Sequence, residues 1–135
     1  MRITADTNLL VRIIVRDDFE QARIAYQLVS TADRVVIPLP CICEVVWVLG
    51  KVYSFTPPEL VQAVRAVTET GNAVVDEAAI EAGLTMLSLG GDFADAAIAV
   101  AGNIMGGETF VSFDRKAVSR ISAMGLSART PRDLV

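Results

Sequence analysis

Short apolar runs alternate with longer segments of helical period along the whole chain, and this alternation most constrains the fold. Residues 34–38 read R-V-V-I-P, a continuous apolar strand stopped by proline. Residues 109–113 form a second such run, and 2–6, 72–75 and 126–128 read as shorter strands. Between them the apolar period lengthens to that of a helix. Residues 8–15 read as the first helix. Asp17 is expected to cap the next, with Glu20 completing a capping box and Phe19, Ala22, Tyr26 and Val29 as its buried stripe. A third helix is expected over 40–52. Thr56-Pro57-Pro58-Glu59 is a strong helix start, and Leu60, Val61, Val64 and Val67 line the inner face that follows. Residues 77–89 place Ile80, Leu84 and Leu87 inward, and Gly90-Gly91 end that helix. Helices over 92–105, closed by Gly106-Gly107, and over 115–124 complete the chain. Strands apolar on both faces and separated by helices imply an α/β chain with a parallel, helix-covered sheet. No repeat or linker interrupts the pattern, so a single domain over 1–135 is expected. In such sheets the functional residues lie beyond the carboxyl ends of the strands.

Composition narrows the chemistry. The chain has no His, which excludes Ser-His-Asp and Cys-His triads, His-based zinc sites and a His general base. Its two Cys, at 41 and 43, do not share a helix face and read as small buried hydrophobes rather than a disulfide or zinc knuckle. Net charge is −4 and the 12 basic residues are scattered, which argues against binding nucleic acid through a basic patch. Hydrophobic residues make up 53% of the chain, yet no run approaches the ~18 residues of a membrane span. Asp6 interrupts any signal-like layout at the N-terminus. The expectation is a soluble, cytoplasmic protein, with the apolar surplus hinting at a buried interface.

The carboxylates are then the residues to place. Asp6 ends the first strand and Asp114 follows the strand over 109–113; if these strands are neighbours, both acids share one rim. Asp92 and Asp95 share one face of a helix start. Glu44 is the only charge between Val35 and Leu49, so it is expected to sit nearly buried and in need of a partner. Each also fits a plainer role: Asp6, Asp92 and Asp114 as helix caps, Asp95 as the third residue of a capping box. Together, carboxylates converging on one rim repel one another and call for a cation. An oxygen-only set without His or Cys suits Mg²⁺ or Mn²⁺ rather than Zn²⁺ and serves metal-assisted phosphodiester hydrolysis.

Four segments carry a family resemblance. A-D-T-N-L-L-V-R at 5–12 resembles the opening of PIN-domain ribonucleases, specifically VapC-type toxins of toxin–antitoxin pairs. I-P-L-P-C-I-C-E-V-V-W-V-L at 37–49 is similar to their second motif, G-D-F-A-D-A-A-I-A at 91–99 to the third, and T-F-V-S-F-D-R-K at 109–116 to the fourth. The resemblance covers essentially the whole chain. It implies a PIN-like three-layer α/β/α sandwich with a short central parallel sheet. It further implies a Mg²⁺- or Mn²⁺-dependent endoribonuclease whose metal and catalytic residues are Asp6, Glu44, Asp95 and Asp114. Asn8, Ser112 and Arg12 are the accessory residues; Ser112 stands where the family usually has Thr, and the hydroxyl is kept. Asp92 is an extra acid, an outer-shell residue or only a cap. The implied partners are an RNA substrate, a VapB-like antitoxin protein and a second copy in a homodimer, with Trp47, Tyr53 and Phe55 as candidate contacts.

Two other classes compete. Haloacid-dehalogenase-type phosphatases carry a second Asp two residues after the first, where this chain has Asn8; receiver domains need a differently placed acid pair and Lys. A catalytically inactive PIN-like module that only binds RNA or protein would be marked by loss of an acid, and all four positions are filled.

Overall fold

The computed structural model describes residues 1–135. Its contacts divide the chain into two compact units, Met1–Asp76 and Glu77–Val135.

The first unit carries a three-stranded parallel sheet formed by β1 (Arg2–Thr4), β2 (Arg34–Val36) and β3 (Ala73–Val74), in that spatial order. Ile3 pairs with Val35, and Val35 in turn with Ala73. Beyond the strands, Ala5 N–H donates to Val36 O at 2.9 Å and Ile37 N–H to Val74 O at 3.0 Å. The central strand buries Val35 and Ile37, whereas Val36 between them is 37% exposed. The run over 34–38 is therefore not buried on both faces, because alternate strand residues point to opposite sides.

Helices α1 (Thr7–Val15), α2 (Phe19–Thr31), α3 (Leu39–Lys51) and α4 (Pro57–Thr68) complete this unit. α4 starts as its sequence predicts. Glu59 N–H donates to Thr56 Oγ1, and Thr56 N–H donates back to Glu59 Oε1. Leu60, Val64 and Val67 are buried and Val61 half-buried.

The α2 start differs from expectation. Asp18, not Asp17, is the cap, accepting from Gln21 N–H at 3.0 Å. The reason lies in α1, which ends on Arg16 in the left-handed region at φ 58°. That turn leaves Asp17 facing back, where it accepts from Arg12 Nη1 at 3.1 Å and from the Tyr53 hydroxyl at 3.2 Å. The expected stripe also shifts. Phe19 and Tyr26 are 83% and 61% exposed, while Ala22 and Ala25 are buried. The period is right, but small side chains let the helix approach closely and leave the rings on its flank.

The second unit holds α5 (Glu77–Ser88), α6 (Phe93–Ile104), β4 (Phe110–Val111), α7 (Arg115–Ala123), β5 (Ala128–Arg129) and a final single turn at Pro131–Asp133. β4 and β5 pair in parallel as a separate two-stranded sheet. β1 and β4 thus belong to separate hydrogen-bonded sheets. The core gathers Met86, Ala96, Ile121 and Ala128. At Gly83 a Cβ would fall 2.4 Å from the ring of the buried Phe93. Only glycine admits this approach between α5 and α6. Gly90, at φ +79°, ends α5. The fold class is α/β with a short parallel sheet, as expected. No helix is long and apolar enough to cross a membrane.

Candidate active site

The candidate acids fall into two sets, one in each unit. In the first, Asp6 lies two residues past β1 and caps α1, its Oδ1 accepting from Leu9 N–H at 2.9 Å. This is the plain capping role, and it occupies one oxygen only. Glu44 sits on α3, whose buried stripe is Cys41, Ile42, Val45, Val46 and Leu49. Glu44 itself is exposed, contrary to the near-burial expected of it. Apolar neighbours one helical turn away do not bury a residue when the stripe passes beside it. Both cysteines are free, Cys41 buried and Cys43 half-buried. Burial pushes the Cys41 thiol up; a hydrogen bond with Thr7 opposes this, and the carboxylates of Asp6 and Glu44 add to it. Both acids therefore lie within electrostatic reach of one buried sulfur.

Asn8 is exposed in the first turn of α1. Arg12 is not held at Asp6. Its guanidinium bonds Asp17 beyond the opposite end of α1, and its buried Nε has no partner. Trp47 is 60% exposed, so it is not a core residue; Tyr53 and Phe55 are half-buried. A pocket of about 410 Å³ in this unit is lined by Leu10, Ile13, Tyr26 and Val35 among others, and none of the candidate acids touches it.

The second set is more tightly coupled. Asp92 caps α6, accepting from Ala94 N–H at 3.2 Å. Asp95, in the first turn, is half-buried and its carboxylate accepts no hydrogen bond from the protein, so it does not complete a capping box. Burial pushes its pKa up, the carboxylates of Asp92 and then Asp114 push it further, and Arg120 opposes them. Asp114 caps α7, with Oδ1 accepting from Lys116 N–H at 3.0 Å and Ala117 N–H at 3.2 Å. Ser112 Oγ accepts from Asp114 N–H at 3.0 Å, fixing the turn that presents the acid.

Within neither unit do three or more Asp, Glu or Cys side chains close around one point as a ready metal cage. The donors nonetheless fit a hard divalent cation. All are carboxylate oxygens; the Oδ2 atoms of Asp6 and Asp114 are not used by their caps, and Asp95 carries charge that no protein donor satisfies.

Sequence reasoning missed Arg120 and put the α2 cap on Asp17 instead of Asp18. The run Asp17-Asp18 signals a helix start, but only the left-handed Arg16 decides which of the pair caps. Arg120 lies six residues after Asp114, a spacing that carries no signal alone.

No curated protein matches the chain. The model of one family, described as PIN domain, matches residues 3–123 and so runs through both units and all four motif segments. The chain belongs to the PIN domain family, a nuclease-type fold.

Proposed function

We propose that this chain is a metal-dependent endoribonuclease, the toxin component of a type II toxin–antitoxin pair of VapC type. One observation carries the reading. In a domain of nuclease type, Asp95 is half-buried, bonded to no protein donor and flanked by two further carboxylates. A carboxylate held so is satisfied by a cation. PIN domain nucleases typically use divalent metals. Asp6, Glu44, Asp95 and Asp114 would hold Mg²⁺ or Mn²⁺. Such an ion, when bound, supplies Lewis acidity and charge neutralisation at a scissile phosphate.

The chain's own residues do the rest. The caps at Asp6 and Asp114 fix one oxygen of each carboxylate on backbone N–H groups and leave the other to point outward. Ser112 holds the backbone of Asp114. Asp92, tied to its own helix start, adds negative charge beside Asp95 and is an outer residue in this reading. The products would be a 5′-phosphate and a 3′-hydroxyl. The chain has no His to act as a base, so a bound ion with its carboxylates would have to supply water activation.

The partners proposed are RNA, a VapB-like antitoxin and a second copy of the chain. An acidic protein suits a basic antitoxin segment electrostatically. Exposed Trp47 on α3 is the residue we assign to a protein contact. The reading places the protein in the cytoplasm.

The absence of a three-donor cage within either unit favours a second reading, a PIN-like module that binds RNA or protein without cutting. One experiment separates them: incubation of total RNA with the purified chain, freed of any antitoxin, in Mg²⁺ or Mn²⁺ or EDTA, beside Asp6→Asn. Discrete fragments with 5′-phosphates, made only by wild type with metal, are the expected result. Metal titration with no response in either protein, together with intact RNA, would establish the binding module.

A further inference from the structure

Arg120 is a cation with no bond in the protein. Its guanidinium makes no hydrogen bond and no ion pair, although it is half-buried on α7. Its stem runs close to the backbone of Gly91. A Cβ at Gly91 would lie 2.8 Å from Arg120 Cδ and 2.3 Å from Met86 Sδ, so the arginine runs over the one residue without a side chain. Gly91 immediately precedes Asp92, the cap of α6, so the Arg120 stem lies at the start of the helix that carries Asp95. The other cations near Asp114, Arg115 and Lys116, are exposed.

A guanidinium has five donors in a rigid fork that matches phosphate, and here they are unbonded close to carboxylates. An RNA strand brought to three acids meets repulsion. A cation beside them offsets it at one phosphate. Resting on the nuclease reading above, we propose that Arg120 binds a backbone phosphate of the RNA substrate, with Gly91 providing the space that lets its stem reach the acidic set of the second unit.

The test compares wild type with R120M, R120K and R120Q. R120M keeps the aliphatic stem over Gly91 and removes the charge. The substrate is a labelled single-stranded RNA spanning a cleavage position mapped in the total-RNA assay, and initial rates are taken in Mg²⁺ over a range of salt. For R120M we expect KM to rise about tenfold, the loss of one charge-assisted contact, with kcat within about twofold. The slope of log kcat/KM against log salt should become shallower by about 0.7, the value for one phosphate on a single strand. R120K should recover part of the KM and the whole slope. Melting curves check the fold, and R120Q carries the test if R120M is unfolded. An unchanged KM and salt slope in an active R120M would overturn the assignment. So would a fall in kcat alone, which places Arg120 on Asp95 rather than on RNA. Wild type that cuts no RNA would overturn the nuclease reading, and this one with it.

Discussion

The two units treat acidic groups differently. In Met1–Asp76 the acids at issue are exposed, and the buried group beside them is a thiol, Cys41. In Glu77–Val135 the half-buried group is itself a carboxylate, with two more close by and one arginine opposing them. The cost of holding negative charge therefore falls mainly on Asp95. In the proposed reading a cation would gain most at Asp95, whereas Asp6 and Glu44 are already exposed to water. The same contrast runs through the packing. The first unit buries branched aliphatics around a strand, and the second closes a glycine–aromatic contact between two helices.

Substitutions at the acids break this comparison most directly. Asp95→Asn and Asp6→Asn are each expected to abolish RNA cleavage while leaving the circular dichroism spectrum unchanged. Glu44→Gln, on a residue both exposed and outside any helix cap, should cost less, roughly 10–100-fold in activity or in the Mg²⁺ midpoint, the range for supporting metal-site groups. Equal losses at Glu44 and Asp95 would remove the asymmetry argued from burial.

The packing contrast comes next. Phe93→Ala should lower unfolding stability by about 3–5 kcal/mol in a urea titration, as large aromatic-to-alanine changes in cores do. Gly83→Ala adds one methyl where the Phe93 ring already stands, and should cost about 1–3 kcal/mol. A tolerated Gly83→Ala would mean that α5 and α6 can separate.

Capping is a smaller effect. Asp18→Ala should cost about 1 kcal/mol through loss of the bond to Gln21 N–H. Asp17→Ala removes a partly exposed ion pair with Arg12 and should cost less than about 1 kcal/mol. The reverse ranking would restore Asp17 as the cap.

The pH dependence of Asp95 is the most delicate difference. Its folded pKa lies above the ordinary 3.8, so ionising it opposes folding. Its favourable contribution is complete while both states are protonated, and is lost as pH rises from the unfolded value through the folded one. Asp95→Asn should then melt with wild type below pH 3.8 and slightly above it near neutrality. Mg²⁺ should narrow the neutral gap by raising the melting temperature of wild type alone. A variant that melts lower at neutral pH would show that Asp95 is stabilised by contacts rather than strained.

Much of this was legible in advance because it is local. The Thr56–Glu59 box, the glycine ends of two helices and the order of elements follow from neighbouring residues, and all are formed. The acids at 6, 44, 95 and 114 were grouped from spacing and resemblance; the structure describes two of them in each unit. What failed did so for tertiary reasons. Phe19 and Tyr26 have the right period, yet α2 is packed through Ala22 and Ala25. Asp17 precedes α2 as a cap should, yet its carboxylate turns back to Arg12.

The sequence by itself determined the α/β class, most helix starts and stops, and which residue types could serve the chemistry. A chain without His offers carboxylate oxygens rather than imidazole to any cation. Only the tertiary structure decided which carboxylate bears the cost of burial, that β1 and β4 belong to separate sheets, and that Arg120 crosses Gly91 beside Asp92. The physical reason is range. Capping and periodicity act over three or four residues, whereas burial and charge coupling depend on neighbours brought together from distant parts of the chain.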